Sequence, residues 1–230
     1  DVMRCCAAEM APHRNPPLPN QQQQPKTAGA NSKLDKTWGQ GHSLRPLQSQ
    51  RKSQEILDEQ LSKAVRNLGW PDNLKPIWID AGDGGYALFK SEDAKVIDTL
   101  FEFQRLLADD NQSRDEQSKI YMRYALHKDQ IYCWEGAFGP KYTGDALNNC
   151  ARLLSGMSKE YKGQVVCSEP IFKAISAMQT PNVDVTRLKD VTDKHGKTHQ
   201  VYNLQRTPGL GVTPVPTDQH QNPLKRHQSI

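Results

Sequence analysis

A chain of 230 residues that is 36% hydrophobic and 7% aromatic is sized for one domain with long polar ends, because that apolar content is too low for a core running its full length. No stretch reaches the roughly 18 apolar residues of a membrane helix, no signal-peptide pattern opens the chain, and a net charge of +4 without a dense basic stripe gives no reason to expect nucleic acid. Five cysteines (Cys5, Cys6, Cys133, Cys150, Cys167) without C-x-x-C spacing argue against a disulfide framework or a zinc site and fit a reducing cytoplasm.

Residues 1–50 read as a disordered, low-complexity segment. They hold Asn15-Pro16-Pro17-Leu18-Pro19 and a glutamine run from Gln21 to Gln24, with no apolar period. A globular unit is expected over 51–206, followed by a disordered tail over 207–230 that is rich in Pro, Gly and Gln. Within the unit, Ser53 is placed to cap a helix whose face carries Leu57, Leu61, Ala64, Val65 and Leu68, ending near Gly69. Strands Ile77–Ile79 and Tyr86–Phe89 flank Gly82-Asp83-Gly84-Gly85, a hairpin with an acidic, glycine-rich tip. Ser91 and Glu92 open a second helix that presents Val96, Ile97, Leu100 and Phe101 to a core. There follow a strand over Ile120–Leu126, a turn at His127–Asp129 and a strand over Ile131–Trp134. A Gly/Pro loop and a helix from about Gly144 to Leu154 come next. A strand over Val165–Cys167, a helix to Met178 and a strand over Val201–Leu204 complete the order. Two helix–hairpin–helix stretches predict an α+β, ferredoxin-like sandwich, with helices on one face of a mainly antiparallel sheet.

Three places can carry chemistry. Asp83 on a tight turn can bind a hard cation through oxygen, although Asp-Gly is also a common hairpin turn. Asn148 and Arg152 lie at i, i+4 and share a helix face. The guanidinium suits charge on phosphoryl oxygens and the amide can orient a sugar, while an exposed polar pair has the same spacing. Asp193-Lys194-His195-Gly196-Lys197 offers lysines to phosphates, or is a solvated turn.

In this order the pieces resemble the class III nucleotidyl (adenylate/guanylate) cyclase catalytic domain over Ser53–Leu204. The resemblance rests on Ala81-Gly82-Asp83-Gly84-Gly85, Met122-Arg123-Tyr124-Ala125-Leu126-His127, and the spaced set Gly144, Leu147, Asn148, Ala151, Arg152, Leu153. Gly163–Glu169 and Leu188–Tyr202 add two later segments. It implies two Mg²⁺ or Mn²⁺ ions that bind a nucleoside triphosphate and assist the ribose 3′-hydroxyl in displacing pyrophosphate, leaving a 3′,5′-cyclic nucleotide. Asp83 would be a metal ligand, Asn148 would orient the ribose, Arg152 would stabilise charge at the α-phosphate, and Lys197 would meet the triphosphate. The resemblance also implies a homodimer with active sites at the interface, so that Asp83 and Arg152 of one site come from different protomers.

Two positions depart from the family. Its first metal aspartate is expected in an Asp-x-x-Gly-aromatic-Ser/Thr segment just before the first helix. Arg45-Pro46-Leu47-Gln48-Ser49-Gln50 has no carboxylate there, and Asp35 and Asp80 lack the context. Either the true start is replaced or lost in this chain, or the protein is a degenerate cyclase-homology domain that serves as a nucleotide-binding or dimerisation module. The purine-selecting positions are Ile79 and Lys141, an apolar residue and a cation, which match neither the adenine nor the guanine pattern. That pair is compatible with the pyrimidine cyclases of bacterial Pycsar antiphage systems, which make cyclic UMP or cyclic CMP.

Overall fold

The computed structural model describes residues 2–10, 47–90, 93–157, 163–178, 182–193 and 196–207. The strands are β1 (Val2–Met10), β2 (Ile77–Asp80), β3 (Gly84–Phe89), β4 (Met122–Gln130), β5 (Tyr132–Gly136), β6 (Gly139–Thr143), β7 (Val165–Ser168), β8 (Val183–Arg187), β9 (Val191–Thr192), β10 (Thr198–His199) and β11 (Val201–Arg206). The helices are α1 (Leu47–Asn67), α2 (Asp93–Gln112), α3 (Asp145–Gly156) and α4 (Glu169–Met178). Among the described residues seven strands form one sheet in the order β2-β3-β1-β4-β7-β11-β8, and the pairs β5/β6 and β9/β10 stand apart as hairpins. The sheet is antiparallel except where β4 runs parallel to β7.

The α+β sandwich is as expected, with one difference in its layering. Ile56, Leu57, Ala64 and Val65 of α1, Val96, Ile97, Leu100 and Phe101 of α2, and Ile171 and Ile175 of α4 pack against one face of the sheet. Helix α3 covers the other face through Ala146, Cys150, Leu153 and Leu154. A helix on each side means that the central strands must be apolar in both directions. β1 answers this with small residues. Cys6, Ala8 and Met10 join the first cluster, while Met3, Cys5 and Ala7 join the second.

This strand corrects the expectation that residues 1–50 form one disordered segment and that the sheet lacks its central first strand. Val2–Met10 pairs with β3 on one side and β4 on the other, in the middle of the sheet. A strand buried on both faces has no polar/apolar alternation to betray it, and its Cys and Ala residues carry little β-propensity. Residues 11–46 and 208–230 lie outside the described residues.

Three further boundaries move. α1 is described from Leu47, so Ser53 lies inside the helix and donates Oγ–H to the Ser49 carbonyl at 3.0 Å rather than capping it. The turn expected at His127–Asp129 is strand: β4 continues to Gln130, with His127 buried in it. The Gly/Pro loop is the β5–β6 hairpin, where Pro140 is tolerated because a two-stranded ribbon consists of edges. Ser91 and Glu92 lie outside the described residues, and α2 is described from Asp93.

Candidate active site

Asp83 stands at the β2–β3 tip. The turn is fixed locally by Gly82 N–H donating to Asp80 Oδ1 at 2.8 Å and Ala81 N–H donating to the Gly84 carbonyl at 3.0 Å. Gly82 sits at φ +87°, which favours glycine. The Gln54 amide of α1 also donates to the Gly82 carbonyl. Met10 N–H of β1 donates to the Asp83 carbonyl at 2.9 Å, so the tip is tied to the end of the central strand. Asp83 itself is half-buried.

α3 starts at a glycine for a steric reason. Gly144 has φ +150°, and a Cβ there would stand 2.3 Å from the Gln130 carbonyl oxygen at the end of β4. The helix consequently begins hard against the sheet and projects Asn148, exposed, one turn before Arg152, whose side chain is 30% exposed. Arg152 Nη1–H donates to Asn149 Oδ1 at 3.1 Å, and Nε lies 3.4 Å from Asp193 Oδ2. Asn149 Nδ2 in turn lies 3.1 Å from His127 Nε2, and His127 Nδ1 lies 2.6 Å from Ser168 Oγ. A chain of polar contacts therefore runs from the sheet interior to the Arg152 guanidinium.

The state of His127 follows from these partners. Burial pushes its imidazole below the usual 6.5, against the raising effect of Asp129. Nε2 faces both Asn149 Nδ2 and, at 3.4 Å, Asp129 Oδ2, while Nδ1 faces Ser168, so the ring is held from both of its nitrogens. The unfolded chain protonates this histidine at a higher pH than the folded one does. Its contribution is therefore whole above about pH 6.5 and is lost as pH falls through the folded-state value. His127→Gln is expected to flatten that part of the curve of melting temperature against pH, measured from about pH 7.5 to about pH 5. Parallel curves for the two proteins would contradict this assignment.

The remaining residues singled out in the sequence are distributed as follows. Ile79 lies half-buried on edge strand β2, packed against the α3-side cluster. Lys141 is exposed on β6 opposite Trp134. Lys197 is exposed between β9 and β10, where its N–H donates to Asp193 Oδ1 at 3.0 Å. The structure thus brings Arg152 and the Lys197 backbone to one carboxylate. Among the described residues, no hydrogen bond or ion pair joins Asp83 to Asn148 or Arg152.

No protein-family model matches the sequence, and no curated protein does. Solved structures do match. The guanylate cyclase domain of RhGC from Catenaria anguillulae, in complex with GTP, superposes with a TM-score of 0.60 at 11% identity, over 90% of this chain and 97% of that one. The adenylate/guanylate cyclase/hydrolase from Silicibacter pomeroyi gives 0.58 at 16% identity, over 89% and 96%. An adenylate cyclase from Trypanosoma brucei in its monomeric state gives 0.56 at 13% identity, over 91% and 92%. The chain has the class III cyclase fold.

Within that fold β1 supplies a residue that the sequence reading missed. Glu9 stands opposite Gly84 in the β1–β3 register and opposite Arg123 in the β1–β4 register, beside the tip that carries Asp83. A signal was present: a short apolar run, Cys5–Ala8, that ends in an acid. The run is short and lies far in sequence from α1, whereas the family motif places this carboxylate directly before that helix. No group of three or more His, Cys, Asp or Glu forms a metal cage among the described residues. The backbone nevertheless places two acidic residues, Glu9 and Asp83, at the same end of the β1–β3 pair, and acids are the donor type that Mg²⁺ or Mn²⁺ takes. Such hard ions take oxygen donors and commonly use one or two carboxylates, with substrate phosphates completing the shell.

Proposed function

We propose that the protein is a class III nucleotide cyclase that converts a nucleoside triphosphate to a 3′,5′-cyclic nucleotide and pyrophosphate, as a cytoplasmic homodimer. The observation that carries this reading is the register of β1, which sets Glu9 beside the Asp83 tip and so provides a second acidic residue in a fold shared with cyclase domains. Glu9 and Asp83 would hold Mg²⁺ or Mn²⁺, which neutralises triphosphate charge and makes the 3′-hydroxyl a better nucleophile. The ribose 3′-oxygen bonds to the α-phosphorus, the bond from that phosphorus to the β-bridging oxygen breaks, and the hydroxyl proton leaves to water.

Asn148 holds the ribose through its amide. Arg152 meets the negative charge that builds on the α-phosphate oxygens, and Lys197 meets the departing phosphates. These groups come from a second copy of the chain. Tyr132, Trp134 and Phe138 on the β5–β6 hairpin are exposed, Phe138 at 94%, and a partner protomer would cover them.

At the base, Ile79 offers an apolar wall, and Lys141 offers only donors, which pair with a carbonyl oxygen. That combination disfavours adenine, which has no carbonyl, and of the bases that remain we read the substrate as a pyrimidine, giving cyclic UMP or cyclic CMP; such a product would serve as an alarm signal in antiphage defence. The assay is incubation of purified protein with Mn²⁺ and each of the four triphosphates, with products separated by mass. One cyclic pyrimidine nucleotide is expected to dominate. A folded dimer that forms no cyclic nucleotide from any of the four is the noncatalytic module instead.

A further inference from the structure

We propose that Asp193 is a positioning residue for Arg152, holding the inner edge of the guanidinium so that its outer donors face the substrate phosphate. This assignment rests on the cyclase reading for its catalytic meaning, though not for its geometry. The Asp193 side chain is 2% exposed, and a carboxylate so buried is costly unless its oxygens are paired. The short β9–β10 hairpin is built around it. Oδ1 accepts Lys197 N–H at 3.0 Å, Oδ2 lies 3.1 Å from His199 Nε2, and the Asp193 N–H donates to the Lys197 carbonyl at 2.9 Å. The same Oδ2 lies 3.4 Å from Arg152 Nε.

Arg152 has five N–H donors in a planar fork. Asp193 faces the one on Nε and Asn149 Oδ1 takes one on Nη1, so three remain for an anion. A carboxylate that silenced the arginine would instead straddle the two terminal nitrogens. Here it grips the stem side, and the side chain stays 30% exposed. The hairpin is also set against α3 at a distance that only glycine permits. A Cβ on Gly156, the last residue of α3, would stand 1.9 Å from Val191 Cγ1 of β9. Asp193 therefore reaches Arg152 because hairpin and helix touch backbone to side chain. Asn149, held by buried His127, fixes the fork from the sheet side.

The test is Asp193→Asn, which keeps the shape and removes the charge. It is read by turnover and by the ¹⁵N–¹H signal of the Arg152 side-chain Nε–H, assigned by its loss in Arg152→Lys. The expected result is a kcat lower by about 10–100-fold with KM changed by less than about threefold, and Nε–H exchange with water faster by about tenfold. A folded Asp193→Asn protein with wild-type kcat, or with an unchanged Nε–H exchange rate, overturns the assignment. If the wild-type protein makes no cyclic nucleotide, the cyclase reading fails, and the exchange rate still decides the positioning role. Should Asp193→Asn not fold, Gly156→Ala leaves every charge in place while pushing the hairpin off α3, and the same two readouts apply to it.

Discussion

Glu9→Ala is expected to lower cyclase turnover by about 10³-fold or more, because several kcal/mol of charge stabilisation at the triphosphate depends on the metal carboxylates. Asp83→Ala is expected to do the same. Both variants should require more Mn²⁺ for whatever activity remains, while circular dichroism and dimer size stay as in the wild type. β1 lies between β3 and β4, residue 9 is in register with Gly84, and the Met10 N–H closes onto the Asp83 carbonyl, so the two acids belong to one locally fixed structure. Initial rates over a Mn²⁺ titration measure the effect. Wild-type rates in Glu9→Ala would remove β1 from the site and return the protein to a single metal carboxylate.

Arg152→Ala comes second in size. Removing a donor aimed at charge that develops in the transition state typically costs about 10²–10³ in kcat. KM should move far less, since the substrate phosphates are held mainly elsewhere. Arg152→Lys should recover only a small part, because an ammonium cannot keep both the Asp193 and Asn149 contacts of the fork and still present donors outward. Steady-state kinetics on the preferred triphosphate separate the two parameters.

Much of this was legible in the chain itself, for reasons that are local. The helices announce their apolar faces at a period of 3.6, and Leu57, Ala64, Val65, Val96, Ile97 and Leu100 are buried as that period requires. The helix carrying Asn148 and Arg152 and the Gly82-Asp83 tip stand where their residues put them, although Gly84 and Gly85, expected in the turn, are the first residues of β3 and pair with β1. What escaped was decided by tertiary contact. β1 is a strand only because β3, β4 and helices on both faces surround its small residues. His127-Lys128-Asp129-Gln130 is polar enough to pass for a turn, yet His127 finds Ser168 and Asn149 inside the structure and β4 runs on. The pairing of Asp193 with Arg152 joins a hairpin to a helix far away in sequence, and no local pattern encodes it.

The proposed cyclase site is divided between two copies of the chain, with acids from one and the arginine from the other. Mixing inactive Asp83→Ala protein with inactive Arg152→Ala protein, under conditions where subunits exchange, tests it directly. Random pairing joins unlike subunits half the time and leaves one intact site in each such dimer, so about a quarter of wild-type turnover is expected to return. A mixture as inactive as its two components, with subunit exchange verified, would contradict the account.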